Sequence, residues 1–154
     1  MSQRQPITAR NAARQPFMPL MRELVRAYQA WQARDAEGHR AMESGLTLPQ
    51  ADVIFTLGNT TGMSCKNIGE RTLITKGTLT GIIDRLEDKG LVTRETDPED
   101  RRSTIVRLTP EGEAAFERCF PLQISYLAEY FQRLSPQQME AAQQALRTLR
   151  EAFE

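Results

Sequence analysis

Apolar residues recur at helical spacing from Phe17 to about Met42. Phe17, Leu20, Met21, Leu24, Val25, Tyr28 and Trp31 share one face, while Arg22, Glu23, Arg26 and Gln29 fall off it. This predicts a long amphipathic helix whose stripe is either core or an interface with a second copy. Gly45 ends the segment. Thr47 followed by Gln50 has the form of a capping box, opening a second helix with Val53, Ile54 and Leu57 inward. Asn59-Thr60-Thr61-Gly62 breaks that helix. Ser64 then caps a short helix to about Arg71 with Ile68 inward, and Thr72-Leu73-Ile74 turns the chain. Thr75 is the expected N-cap of the next helix, Lys76 to Lys89, whose inward residues are Leu79, Ile82, Ile83 and Leu86 and which Gly90 terminates.

After Gly90 the period changes from helix to strand. Leu91, Val92 and Thr93 are strand formers, and Ile105, Val106 and Leu108 begin a return strand. Asp97-Pro98-Glu99-Asp100 between them is a turn composition, with Arg101 and Arg102 at the tip. A helix pair followed by such a hairpin is the outline of a winged helix, whose natural ligand is duplex DNA. Thr109-Pro110-Glu111 opens a further helix with Phe116, Phe120, Ile124, Leu127, Phe131 and Leu134 on one face, and Pro121 is expected to kink it. Ser135-Pro136-Gln137-Gln138 starts a last helix carrying Met139, Ala142, Leu146, Leu149 and Phe153. The expected fold is mainly α with a small β-hairpin wing: a winged helix-turn-helix at about 46–109, with further helices at about 16–44 and 110–154. Together these form a single domain, 16–154, behind a flexible arm, 1–15. Arg4, Arg10 and Arg14 of that arm either touch phosphate or belong to a frayed tail.

Charge narrows the ligand. The chain balances 20 basic against 20 acidic residues, which argues against a generic polyanion binder but not against a sequence-specific one. Residues 1–40 carry seven Arg and three acids, whereas 109–154 carry four Arg and seven acids. Two cysteines, Cys65 and Cys119, and one His give no disulfide framework and no structural metal site. The polar, Arg-rich residues 1–16 do not read as a signal peptide, and no apolar run approaches the ~18 residues of a membrane span, so a cytoplasmic protein is expected. Without a Gly-rich phosphate loop or clustered acids there is no catalytic constellation and no cofactor motif, so an enzyme is not expected.

The outward face of the 76–89 helix carries the chemistry. It holds Gly77, Gly81, Asp84 and Asp88, flanked by Thr78, Thr80 and Arg85. A glycine inside a helix costs about 1 kcal/mol against alanine. Two of them on one face suit a helix that must approach another backbone closely, either a major groove of DNA or another helix. Thr78 and Thr80 offer hydroxyls there, and Lys76 a charge. Ser64, Lys66 and Thr75, at helix starts, are candidates for holding phosphates.

Two sequence motifs resemble the MarR family of bacterial regulators. One is D-P-E-D-R-R-x-x-x-V-x-L-T-x-x-G, from Asp97 to Gly112; the other is Leu86-Glu87-Asp88-Lys89-Gly90-Leu91-Val92-x-Arg94. The likeness extends more weakly over roughly Leu20 to Phe153. It implies a homodimer, with the first helix and the two C-terminal helices pairing across a two-fold axis. It also implies a transcriptional regulator, with a repressor as the expected form, on a pseudo-palindromic operator. Arg101 would enter the minor groove and Arg102 would pair with Asp84, orienting the wing together with Asp100, or the two arginines would exchange these roles. Alternatively, the arginine pair is a solvated turn charge.

The resemblance further implies a small aromatic or phenolic effector, for which Trp31, His39 and Phe120 are candidates. A lone His is otherwise a surface or packed core residue. An alternative switch is oxidation of Cys65, which follows the cap of its helix and adjoins Lys66, a setting that favours the thiolate. A competing reading is a winged-helix module that binds protein rather than DNA, for which arginines at a hairpin tip have no evident use.

Overall fold

The computed structural model describes residues 6–72 and 74–154. Arg4, and Leu73 of the expected turn, lie outside the described residues. The chain divides into two compact units at the Glu37–Gly38 junction.

The first unit holds a short 3-10 turn, Ala12–Arg14, and most of helix α1, Met18–Ala41. The part of the arm that is described has local order: the Asn11 carboxamide oxygen accepts from Thr8 N at 2.8 Å and its nitrogen donates to Pro6 O at 3.2 Å. The apolar stripe of α1 stays about half exposed in the single chain: Phe17, Leu20, Met21, Val25, Tyr28 and Trp31 all rank among its exposed large side chains.

The second unit begins with the last residues of α1. Helix α2 runs Leu48–Leu57 and opens on the expected box, with Gln50 N donating to Thr47 Oγ1 at 3.3 Å and Thr47 N to Gln50 Oε1 at 3.0 Å. Strand β1, Met63–Ser64, leads directly into α3, Cys65–Thr72. Ser64 caps α3 as expected, accepting from Asn67 N at 3.2 Å. Helix α4 spans Lys76–Asp88, strand β2 Val92–Thr96 and strand β3 Thr104–Leu108. The sheet is antiparallel in the order β1-β3-β2, with Arg94 opposite Val106 and Met63 also opposite Val106. Two residues are too few for β1 to show an alternation, so no periodicity marks it in the sequence.

The core joins all these elements. Val53, Ile54 and Leu57 of α2, Ile68 of α3, Leu79, Ile83 and Leu86 of α4, and Val92 and Val106 of the hairpin are each at most 2% exposed. Each such side chain contributes about 1.5–3 kcal/mol by leaving water. Truncating Ile83, at the centre, to alanine costs about 2–5 kcal/mol through the cavity it leaves. The core therefore fixes α4 by one face and leaves the other outward.

Helix α5, Pro110–Phe131, runs through Pro121 as one helix, and α6 spans Pro136–Glu151 behind a capping box made by Ser135 and Gln138. The start of α5 is tied to the α4–β2 turn. Thr109 N donates to Leu91 O at 3.0 Å and Thr109 Oγ1 to Gly90 O at 2.5 Å. A Cβ at Gly112 would lie 2.0 Å from Leu91 O, so the glycine that ends the wing motif is required by this backbone approach. Most of α6 is solvent-facing in the single chain, including Met139 and Leu146. Among the described residues no helix is long and apolar enough to cross a membrane.

Candidate nucleic-acid interface

Gly77 and Gly81 face open space. A Cβ built on either meets no heavy atom within 4 Å. Packing against another helix of the same chain therefore does not explain them, and the outward face of α4 is smooth and unobstructed. Lys76, Thr78, Thr80, Asp84 and Arg85 are exposed on or beside it.

The hydroxyls on this face are partly engaged. Thr78 Oγ1 accepts from Thr75 Oγ1 at 3.1 Å, which leaves the Thr78 proton free to be donated outward. Thr80 Oγ1 donates to Lys76 O at 3.1 Å, so as it stands it offers lone pairs rather than a proton. Thr75 occupies the N-cap position as expected, but its side chain makes no capping hydrogen bond. The bond to Thr78 replaces it and leaves backbone N–H groups at the start of α4 uncapped, a favourable place for an anionic oxygen.

The acids of α4 are met from the wing, but not by the expected arginine. Arg94, in the middle of β2, donates through Nη2 to Asp84 Oδ1 and through Nη1 to Glu87 Oε2, the latter at 2.5 Å. Burial works against the charge of this guanidinium, but the hydrogen bonds and charges of Asp84 and Glu87 outweigh it, and its pKa is raised above the ordinary arginine value. Arg94 thus stays cationic and holds both acids. Arg102, expected to pair with Asp84, instead borders a cleft with Lys76 at the opposite end of α4. Asp84 lies eight residues further along, about 12 Å of helix rise, beyond the reach of a side chain held at that end.

Arg94 carries a signal that the pairing rule for strands makes readable. It shares a strand face with Val92, which is buried, so it points inward and needs an acid. A second arginine, Arg107, on the other face of the sheet, is held as well: Nη1 donates to Thr61 O at 2.5 Å, and Nε lies 3.0 Å from Glu95 Oε2.

At the tip the arginines are left alone. Asp100 Oδ1 accepts from Arg102 N at 2.9 Å, and Asp100 O accepts from Ser103 N at 2.8 Å. Asp100 therefore shapes the turn through the backbone and leaves both guanidinium groups outward. Among the described residues, none forms an ion pair with Lys76, Arg85, Arg101 or Arg102. Lys66 is only loosely met by Glu70, at 4.0 Å.

The expected effector residues belong to other elements, α1 and α5. Phe120 stacks on Phe116 at 5.0 Å and tilts against Phe55 at 5.2 Å, as part of the apolar packing. His39 is buried and its Nε2 lies 2.9 Å from Leu46 O. Trp31 stands on the exposed stripe of α1 beside Tyr28, with ring centroids 5.9 Å apart. Cys65 is half-buried at the start of α3, whereas Cys119 is buried.

Known proteins resemble this chain in sequence and fold. The sequence model of the MarR family matches residues 46–104, the span from the start of α2 to the return strand of the wing. The chain is 36% identical to the transcriptional regulator HosA of Escherichia coli over 107 residues, covering 70% of this chain and 79% of HosA. It belongs to the MarR family.

Among solved structures of the family, BpsR of Bordetella bronchiseptica, whose DNA binding is regulated by 6-hydroxynicotinic acid, is 30% identical. That likeness covers 85% of this chain and 98% of BpsR, with a TM-score of 0.69. A MarR family regulator of Streptomyces coelicolor, solved in complex with DNA, shares the fold with a TM-score of 0.77 at 21% identity, covering 98% of this chain and 92% of the other. The chain is thus a winged-helix transcriptional regulator of the MarR family.

Proposed function

We propose that this MarR family protein is a repressor that binds a pseudo-palindromic operator as a homodimer. Each copy places α4 in a major groove and directs its wing arginines to the neighbouring minor groove. The observation that carries this reading is the outward face of α4: two glycines against open space, with Asp84 and Glu87 both held in ion pairs by Arg94. The ion pairs with Arg94 lower the negative charge that this helix presents to a polyanion. Thr78, Thr80 and Arg85 then stand where base edges lie, and Ser64, Lys66, Thr75 and Lys76 where phosphates lie. Arg101 and Arg102 are free to enter a narrow, strongly negative groove.

The homodimer is supported by apolar surface. α1 and α5 together leave Leu20, Val25, Trp31, Leu122, Ile124 and Phe131 each 44% or more exposed. Large apolar side chains left in water along each of these helices favour burial against a second copy. Two-fold pairing would set half-sites about 10 bp apart. We also assign a small aromatic or phenolic acid as the releasing ligand, by analogy with BpsR and 6-hydroxynicotinic acid.

The test is selection of bound fragments from a genomic DNA pool with the purified protein, followed by salt titration on the best fragment. An enriched inverted repeat, bound with affinity that falls steeply as salt rises, is the expected result, because each neutralised phosphate releases counterions. No enrichment at low salt, from protein refolded free of ligand, would instead leave a winged helix that serves as a protein-binding module.

A further inference from the structure

Strand β1 is held to the wing by two register pairs, Met63 with Val106 and Ser64 with Ile105. Continued by one residue, this ladder would set Gly62 opposite Arg107. It stops short instead. Gly62 turns away at φ +103°, and a Cβ there would lie 2.6 Å from Arg107 Cγ and 2.8 Å from Val106 O. The Arg107 side chain takes over where the ladder ends. Its Nη1 donates to Thr61 O at 2.5 Å, and its Nε lies 3.0 Å from Glu95 Oε2. One guanidinium thus joins three segments: the turn between α2 and β1, strand β3 that carries it, and strand β2.

The segments joined there lead to the groups assigned to DNA. On one side the turn is anchored to α2, with Thr60 Oγ1 donating to Leu57 O at 2.6 Å and accepting from Gly62 N at 3.2 Å. On the other it becomes β1 and then α3, whose start Ser64 caps. Strand β3 begins two residues after Arg102 of the wing tip. The joint between β1 and β3 therefore sets the start of α3 against the tip, and a strand of two residues is a weak joint by itself. Arginine suits the reinforcement, because its planar fork can meet an acceptor on each side, where lysine offers a single point. The Arg107 charge is already met by Glu95, unlike the charges of Arg101 and Arg102. We propose that Arg107 is a positioning residue for DNA reading, which fixes the wing tip relative to the start of α3 without touching DNA. Its effect on DNA rests on the operator-binding reading above; the joint itself does not.

Arg107→Ala and Arg107→Lys are compared with wild type in the full chain. Amide hydrogen exchange, read by mass spectrometry, should quicken about tenfold over residues 58–66 in Arg107→Ala and stay unchanged in α6. Operator affinity should fall about tenfold, the size of losing one groove contact, while affinity for random duplex and its salt slope stay unchanged. On the operator, hydroxyl-radical protection of the minor groove should weaken, and dimethyl sulfate protection of the major groove under α4 should persist. Arg107→Lys, with one donor group in place of a fork, should show the same changes at smaller size. It carries the comparison if Arg107→Ala does not fold.

Unchanged exchange over 58–66 overturns the joint. A salt slope on random duplex lowered by about 1 overturns the positioning role, because Arg107 is then itself a phosphate ligand. Faster exchange with operator affinity and both protections unchanged also overturns it, since Arg107 then serves stability alone. Equal loss of major- and minor-groove protection does the same, because a misplaced wing should spare α4. The operator reading fails separately. A wild-type protein that selects no DNA removes that reading and the effect on DNA with it, and the exchange result alone then decides the joint.

Discussion

The base and the tip of the wing use the same residue type in opposite ways. At the base, Arg94 is held in a fork by Asp84 and Glu87, with its side chain only 26% exposed. At the tip, Arg101 and Arg102 are exposed, and the turn is built from backbone groups and the carboxylates of Asp97 and Asp100. The base arginine serves the protein, and the tip arginines form no ion pair among the described residues. Position on the hairpin decides this. A strand residue that alternates inward meets α4, whereas a turn residue beyond the last ladder pair, Thr96 with Thr104, meets solvent.

The sharpest way to break this contrast is to remove the tip. Arg101→Ala with Arg102→Ala should lower operator affinity by roughly 100-fold or more, since each good base or groove contact is worth about 1–3 kcal/mol. Thermal unfolding should be unchanged, because neither side chain holds another element. Retained operator affinity in that variant, measured by fluorescence anisotropy, would defeat the assignment of the tip to DNA.

Removing the base should act on both properties at once. Arg94→Ala strips Asp84 and Glu87 of their partner, and these partly exposed pairs are worth about 1 kcal/mol together after solvent screening. The variant should therefore melt a few degrees lower. Operator affinity should fall roughly tenfold, because two bare carboxylates then face phosphate. Adding Asp84→Asn and Glu87→Gln to Arg94→Ala should restore much of the affinity and little of the stability. Failure of that rescue would mean that Arg94 acts only by holding the wing in place.

The contrast also shows what is legible in the sequence and what is not. The helices of the winged lobe are legible because their apolar residues follow one period and their caps are specific: Thr47 with Gln50, Ser64, and Thr109 with Gly112 all make the hydrogen bonds their types suggest. Strand β1 is not legible, since it exists only by pairing with β3. The partner of Asp84 is Arg94, not the Arg102 that the family likeness implies. Strand alternation places Arg94 inward beside Val92, but which acids stand opposite depends on how β2 lies against α4, a tertiary fact. The stripe of α1 suits core or interface equally by its spacing, and its exposure in the single chain favours the interface.

Glycine offers a finer version of the same comparison. Gly112 is required by the chain itself, with Leu91 O at 2.0 Å from where a Cβ would be. Gly81 is not, since a Cβ there meets nothing. Gly81→Ala should therefore raise stability by about 0.5–1 kcal/mol through helix propensity. It should also weaken operator binding severalfold, by holding α4 away from the groove floor. Gly112→Ala should destabilise the fold and affect DNA binding only through that loss. If Gly81→Ala stabilises the protein and leaves affinity intact, α4 does not approach DNA by that face.

Lys66 gives the smallest effect and the cleanest distinction between holding and reading. Its side chain is 83% exposed and 4.0 Å from Glu70, so the chain neither fixes nor needs it. As a phosphate ligand it should add affinity without sequence information. Lys66→Ala should weaken operator and random duplex by the same small factor, leaving their ratio unchanged. It should also reduce the salt slope by about 1 for each phosphate no longer neutralised. The tip variant should instead collapse the ratio itself. A Lys66→Ala protein that lost specificity as well as affinity would place the start of α3 among the groups that read the sequence, and the division between a reading tip and a merely attractive flank would no longer hold.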